Sequence, residues 1–342
     1  MNRVMANTQQ AKLAVELIAG LQSYFVKQLN QLSKDFGEAK NFAAIEWFRN
    51  SGKNGGGVRY VSQDDTVFNR AQVNFSQVQY EVDSTKPLNS ATAISTIIHP
   101  TNPHAPSMHM HISYSDLKNG TGYWRIMADL NPAIFYNEDA KSFKKTLEQN
   151  AQEYYQEGNN QGLKYFYIPV LERHRGVEHF YLEGFNSGDN KKDSILARGM
   201  GEAVIDTYIA IVRKRIETPI SDADRATQRA YHSLYLLQVL TLDRGTTSGL
   251  LVHNENDVGI LGSIPAYIDT ELLRSWIAKM PAPQDKLLSA LCATLGEAIV
   301  YVEDKMKQQL GDVLRKHYTT YPQALSMQAS GNIIPPTVQN HK

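Results

Sequence analysis

Residues 108–130 read MHMHISYSDLKNGTGYWRIMADL, and the period of this stretch decides the fold class. Read as a strand, its first part puts Met108, Met110, Ile112 and Tyr114 on one face and His109, His111 and Ser113 on the other, because successive side chains of a strand point to opposite faces. Lys118-Asn-Gly-Thr-Gly122 is a turn signal compatible with a hairpin. The returning segment sends Trp124, Ile126, Ala128 and Leu130 one way and Tyr123, Arg125, Met127 and Asp129 the other. Two neighbouring strands therefore each have an apolar face and a face carrying imidazole, guanidinium or carboxylate. An antiparallel sheet of this kind packs helices on one side and presents a polar binding floor on the other.

Working outward, VRYV, AQVNFSQVQYEV and AISTIIHP are rich in β-branched and aromatic residues and extend the sheet. Leu13, Leu17, Leu21, Phe25, Leu29, Leu32 and Phe36 recur at spacings of four and three, the apolar face of a long first helix starting near Thr8. Helices are expected at 137–158 and 192–217, with strand-like KYFYIPV and HFYLEGF between them, and at 222–250, leading into LDRGTTSGLL. A second seam, from Leu288 to Val313, predicts a long helix over 284–318. The expected class is α+β, a large antiparallel sheet flanked by helices with an extra C-terminal helix. Residues 1–270 form the main domain, 271–320 a helical extension, and 321–342, with Pro335-Pro336, a flexible tail.

The chain of 342 residues balances 35 Lys and Arg against 35 Asp and Glu. Zero net charge argues against a nucleic-acid partner and against adsorption to an anionic membrane surface. No run of 18 or more apolar residues is present and MNRVMANTQQ has no apolar signal region, so neither a membrane span nor a secretory signal is expected. A single cysteine, Cys292, allows no intrachain disulfide, and a reducing cytoplasm is the expected compartment.

His99, His104, His109 and His111 fall within a short proline-rich stretch. Three prolines fix such a loop rigidly, which suits a preorganised site. Two readings stay open from the residues alone: an acid/base or substrate-binding cleft, and a metal enzyme using His99, His109 and His111. Asp129 on a half-apolar strand needs a hydrogen-bonding or charged partner, either an arginine or a ligand N–H. Arg173, Arg175 and Arg244 are candidate anion anchors or structural ion pairs. The Gly55–Gly57 triplet lacks the spacing of a phosphate loop, no GxSxG elbow is present, and Cys292 sits in a helix seam.

The order of GGG, VFNRAQVNFSQV, AISTIIHPTNPHAPSMH, ADLNP, DAKSFKKTL, HRG, YIAIVRKR, LDRGTTSGL and ILGSIP resembles oxygen-dependent coproporphyrinogen III oxidases, over about Trp47 to Pro265. The resemblance implies a large flat sheet between helix layers in a homodimer. It also implies O2-dependent oxidative decarboxylation of two propionates of coproporphyrinogen III to vinyls, with O2 as co-substrate and no metal or organic cofactor required. By position, Asp129 matches the family residue that binds pyrrole N–H groups, His99 one proposed for proton transfer, and His109 the histidine of the same signature. Ser95 and Asn102 match pocket positions, and Arg175 and Arg244 match family arginines. The pattern departs at Arg125-Ile-Met-Ala128, where the family has a glycine triplet, at His111 and Ser113 in place of Asn and Arg, and at Asn256 in place of an Arg. Arg125, Arg173 and His174 are the groups that could replace the lost cations. These departures motivate the alternative, a relative that binds a tetrapyrrole or another anionic ligand without oxidising it, or acts on a different substrate.

Overall fold

The computed structural model describes residues 2–253, 255–329 and 337–341. Helix α1 (Gln9–Phe36) begins at Thr8, whose hydroxyl oxygen accepts the Ala11 N–H, the cap expected of a Thr before an apolar-periodic run. Strands β1 (Ala43–Phe48), β2 (Gly55–Val61), β3 (Phe68–Gln79), β4 (Leu88–Pro100), β5 (Ser107–Leu117) and β6 (Gly122–Asn131) follow. After α2 (Asn137–Ala151), α3 (Tyr155–Tyr165), β7 (Tyr167–Ile168) and β8 (Arg173–His174), strand β9 (Val177–Phe185) returns beside β6. The result is a seven-stranded antiparallel sheet in the order β1-β2-β3-β4-β5-β6-β9, the large sheet that the sequence predicts.

The glycine triplet serves the sheet. A Cβ on Gly57 would lie 2.0 Å from the Phe75 carbonyl oxygen and 2.6 Å from the Trp47 indole nitrogen, so glycine lets the indole pack flat over the β2–β3 pair. One face of the sheet is sealed by α1 and by α4 (Asn190–Arg215). Met108, Met110, Ile112 and Tyr114 of β5 and Trp124, Ile126, Ala128 and Leu130 of β6 all lie in this core, with Leu17, Leu21 and Phe25 of α1, as the alternation requires.

The opposite face is covered by α5 (Asp222–Thr241), α6 (Arg244–Val252), α7 (Asp257–Ile260), β10 (Tyr267–Asp269), α8 (Thr270–Ser275), α9 (Gln284–Leu295), β11 (Ile299–Tyr301), α10 (Asp304–Thr320) and α11 (Thr337–His341). Three expected helices are in fact pairs. The 137–158 pattern breaks at Gln152, where φ is 48°. The 222–250 pattern breaks at Asp243, whose carboxylate caps α6 by accepting the Thr246 N–H at 2.7 Å. The 284–318 seam breaks at Gly296, φ 91°, and the β-branched Ile299 and Val300 form a short ribbon with β10. An apolar seam at helical spacing does not register such interruptions, because the residues on both sides of the break still pack into one core.

That second core joins Tyr235, Leu236 and Leu240 of α5 to Leu287 and Leu291 of α9 and Leu310 and Leu314 of α10, and so runs across position 270. The 321–342 stretch is partly built into it: Ala324 is buried and the Ala329 N–H donates to Leu242 O. Pro335-Pro336 lies outside the described residues.

Candidate functional site

Between the polar face of the sheet and the helices over it lies a cavity of about 230 Å³. Its floor is a grid fixed by strand register. Gln72, Ile97, His109 and Asp129 sit side by side across β3 to β6, and the next row holds Asn74, Ser95, His111 and Met127. Ser76, Ala93, Ser113 and Arg125 form the third row, and Val78, Ala91, Ser115 and Tyr123 the fourth. The hollow exists because the middle strands carry Ala or Ser at Ala91, Ala93, Ser95, Ser113 and Ser115 while larger groups stand at the sides. Ser95 thus faces the cavity.

The chemistry concentrates at the inner row. Asp129 is completely buried and its carboxylate is engaged on both oxygens. Oδ1 accepts from His109 Nδ1 at 2.8 Å and from Arg175 at 3.1 Å; Oδ2 accepts from Arg175 at 2.9 Å and from Asn131 Nδ2 at 2.5 Å. Burial alone would raise the Asp129 pKa, but the Arg175 guanidinium, and after it His109, hold the carboxyl well below the usual range. Arg175, also buried, donates to Gln238 Oε1 at 2.7 Å and lies over the rings of Phe166 and Tyr235, 4.4 and 4.6 Å from their centroids. His109 and Arg175 line the cavity; Asp129 stands behind them. With Nδ1 on the carboxylate, His109 Nε2 has no hydrogen-bond partner among the described residues, and in a neutral ring with Nδ1–H that atom is an acceptor.

At the third row, Arg125 is held by Glu183 of β9 through Nε–Oε2 at 2.5 Å and NH2–Oε1 at 3.0 Å, and Tyr181 donates to the same carboxylate. Burial opposes the Arg125 charge, but Glu183 more than offsets it and raises its pKa. The Arg125 expected as an anion group is on the cavity wall, already carrying a carboxylate.

Other expected site residues lie elsewhere. His99 is buried outside the cavity lining, one ring nitrogen paired with Ser107 Oγ at 2.7 Å and the other donating to Ser263 O at 3.0 Å. It packs edge-on against His232 and Tyr235, and burial holds its pKa well below the ordinary imidazole value. Asn102 donates to Ile216 O and Thr218 O at 2.8 and 2.9 Å, pinning the proline loop to the end of α4. Arg244 reaches Leu325 O at 2.6 Å, away from the cavity. Arg173 is exposed on β8. His99, His109 and His111 do not converge: their partners are Ser107 and Ser263, Asp129, and Ser113 respectively, and among the described residues no group of three potential metal ligands comes together.

Gln72, Asn74, Tyr165, Tyr235 and Glu183, which the sequence does not single out, also stand in or beside this site. Extending the strand alternation from β5 to β3 would have placed Gln72 and Asn74; nothing local marks Tyr235 or Glu183.

One face of the sheet is thus sealed, and on the other a buried carboxylate–imidazole–guanidinium chain opens into a cavity. The sequence profile of coproporphyrinogen III oxidase matches residues 14–292, and the chain belongs to that family. It is 28% identical over 261 residues to the rat mitochondrial oxygen-dependent coproporphyrinogen-III oxidase, covering 69% of this chain and 58% of that protein. With the tobacco chloroplastic enzyme of that name it shares 30% over 262 residues, 68% of this chain and 65% of the other. With the Rickettsia typhi oxygen-dependent coproporphyrinogen-III oxidase it shares 28% over 280 residues, 77% of this chain and 99% of the other. The chain thus spans under two thirds of the mammalian and plant relatives and almost the whole of the bacterial one. Among the described residues no helix is long and apolar enough to cross a membrane.

Proposed function

We propose that the protein catalyses O2-dependent oxidative decarboxylation of coproporphyrinogen III, converting two propionates to vinyls to give protoporphyrinogen IX in heme biosynthesis. The observation that carries this reading is the His109–Asp129–Arg175 chain at the inner wall of the cavity, in a member of this family. Each turn balances as a propionate, O2 and one proton giving a vinyl, CO2 and hydrogen peroxide: two electrons leave the side chain and reduce O2. The reading requires no metal or organic cofactor, because the electron-rich pyrrole can react with O2 and the protein need only bind, orient and manage protons.

In this mechanism His109 Nε2 takes the proton that leaves the propionate side chain. Asp129 acts through His109: it fixes the ring tautomer and stabilises the imidazolium once formed. This revises the role the family resemblance gives Asp129, since both of its oxygens are occupied and pyrrole N–H groups reach it only if His109 or Arg175 lets go. Likewise His99, with both nitrogens engaged beneath α5, supports the inner wall, and Asn102 and Arg244 act as structural ties. Ser95 and Asn74 offer hydrogen bonds to the ligand from the floor.

Purified protein given coproporphyrinogen III in air should form protoporphyrinogen IX and consume O2, with the Rickettsia typhi relative run alongside; no product and no oxygen uptake would refute the oxidase. A second reading is favoured by one observation: the guanidinium groups lining the cavity are already neutralised, Arg175 by Asp129 and Arg125 by Glu183, which suits a ligand with fewer carboxylates. Tight binding of a dicarboxylate porphyrin, with no turnover of coproporphyrinogen III, would select it. We further propose a cytoplasmic homodimer; sedimentation of a monomer at micromolar concentration would contradict the dimer.

A further inference from the structure

Beside α5 and α6, part of the cavity's roof comes from outside the family match. That match ends at residue 292, and α11 comprises Thr337–His341. Three of its five side chains, Thr337, Asn340 and His341, line the cavity. At one end Arg125 donates to Thr337 Oγ1 at 3.2 Å and Asn340 Nδ2 donates to the Tyr123 hydroxyl at 2.7 Å. At the other, the Tyr80 hydroxyl pairs with His341 Nδ1 at 2.8 Å. Tyr123 and Arg125 belong to β6 and Tyr80 follows β3, so these contacts bridge the outer rows of the floor from one side to the other.

The attachment is mostly polar: besides these hydrogen bonds, the His341 ring packs edge-on against Tyr80 and His253, where α11 rests on α6. No residue of α11 belongs to an apolar core, and none is completely buried. Each of its side-chain hydrogen bonds can be replaced by water or by a ligand oxygen, and a carboxylate is a stronger acceptor for the Arg125 N–H than the Thr337 hydroxyl is. The space left under α11, about 230 Å³, lies below the roughly 300–1,000 Å³ of ordinary small-ligand pockets, and a tetrapyrrole is a large ligand that needs more room.

We propose that α11 is a displaceable roof that sets which ligands the cavity admits: a macrocyclic tetracarboxylate enters only after Thr337, Asn340 and His341 release Arg125, Tyr123 and Tyr80, and a ligand carboxylate then takes the place of Thr337 on Arg125. The proposal rests on the tetrapyrrole reading of the site.

The test uses full-length protein carrying Thr337→Ala, Asn340→Ala and His341→Ala together, with Gln339→Ala, exposed on the same helix, as the control. Association of coproporphyrin III, the stable oxidised tetracarboxylate, is followed by stopped-flow fluorescence after circular dichroism has established that all proteins are folded. The triple variant should bind at least tenfold faster than wild type, and the control at the wild-type rate. Equal rates in the triple variant and wild type would overturn the roof, as would absence of porphyrin binding by both. Coproporphyrinogen turnover on the same preparations separates the two ideas. Faster binding without turnover leaves the roof and removes the oxidase; turnover without faster binding does the reverse.

Discussion

His109 is the side chain whose chemistry and position agree best. Its ring faces the cavity while its Nδ1 is committed to a buried carboxylate. If it is the proton acceptor, His109→Ala should lower kcat by about 10²–10⁴-fold with KM for the tetrapyrrole little changed; a variant that loses only affinity would assign His109 to binding instead. Arg125 gives a prediction that needs no assay of turnover. Arg125→Leu leaves Glu183 buried with only the Tyr181 hydroxyl as a donor among the described residues, and urea unfolding should show a loss of about 3–5 kcal/mol; an unchanged midpoint would mean that the ion pair contributes no net stability. At this scale the sequence marks the stretch from which His109 reaches the cavity but does not report where its neighbours go. His99 and Asn102 share the proline-rich run with His109, yet one turns under α5 and the other ties down α4, and nothing local to that run reports which helix end it will meet.

Elements were legible where one periodicity runs unbroken. Strands β3 to β6 and helix α1 show clean spacing, and their core faces are those the alternation marks. The interruptions at Gln152, Asp243 and Gly296 were hidden because the seams on either side feed the same cores. Strand β1 was missed: its exposed Ala44, Ile45 and Glu46 show no alternation, and it is held by pairing to β2. That pairing makes its own prediction. Gly57→Ala would drive a methyl group into the Phe75 carbonyl and the Trp47 indole, so it should lower the thermal midpoint and change the Trp47 emission; a wild-type midpoint would show that β2 can move away without cost.

For the whole molecule, acid stability follows from histidines buried neutral. Burial lowers the pKa of His179 to about 4 and of His232 to about 3. Both values lie below the unfolded value of about 6.5, so the unfolded chain binds these protons first and stability falls as pH drops from 6.5 toward 4, by about 3 kcal/mol for each ring. The Asp129 carboxyl, also depressed, stabilises above its unfolded value of about 4 and loses that contribution only in stronger acid. Urea midpoints at pH 7, 5.5 and 4 should therefore decline, and His232→Phe should flatten the decline; parallel curves would exclude His232 as a source. The overhead wall of the cavity was the least legible part, since α5, α6 and α11 reach it from far along the chain. The floor has a simpler logic. On β5 and β6 the cavity takes the odd-numbered positions and the core the even-numbered ones. Mutational drift at odd positions can rewrite ligand chemistry while leaving the packed layer untouched, whereas inserting a single residue would exchange the two sets. Genes of this lineage should accordingly accumulate substitutions along these strands far more readily than one-codon insertions.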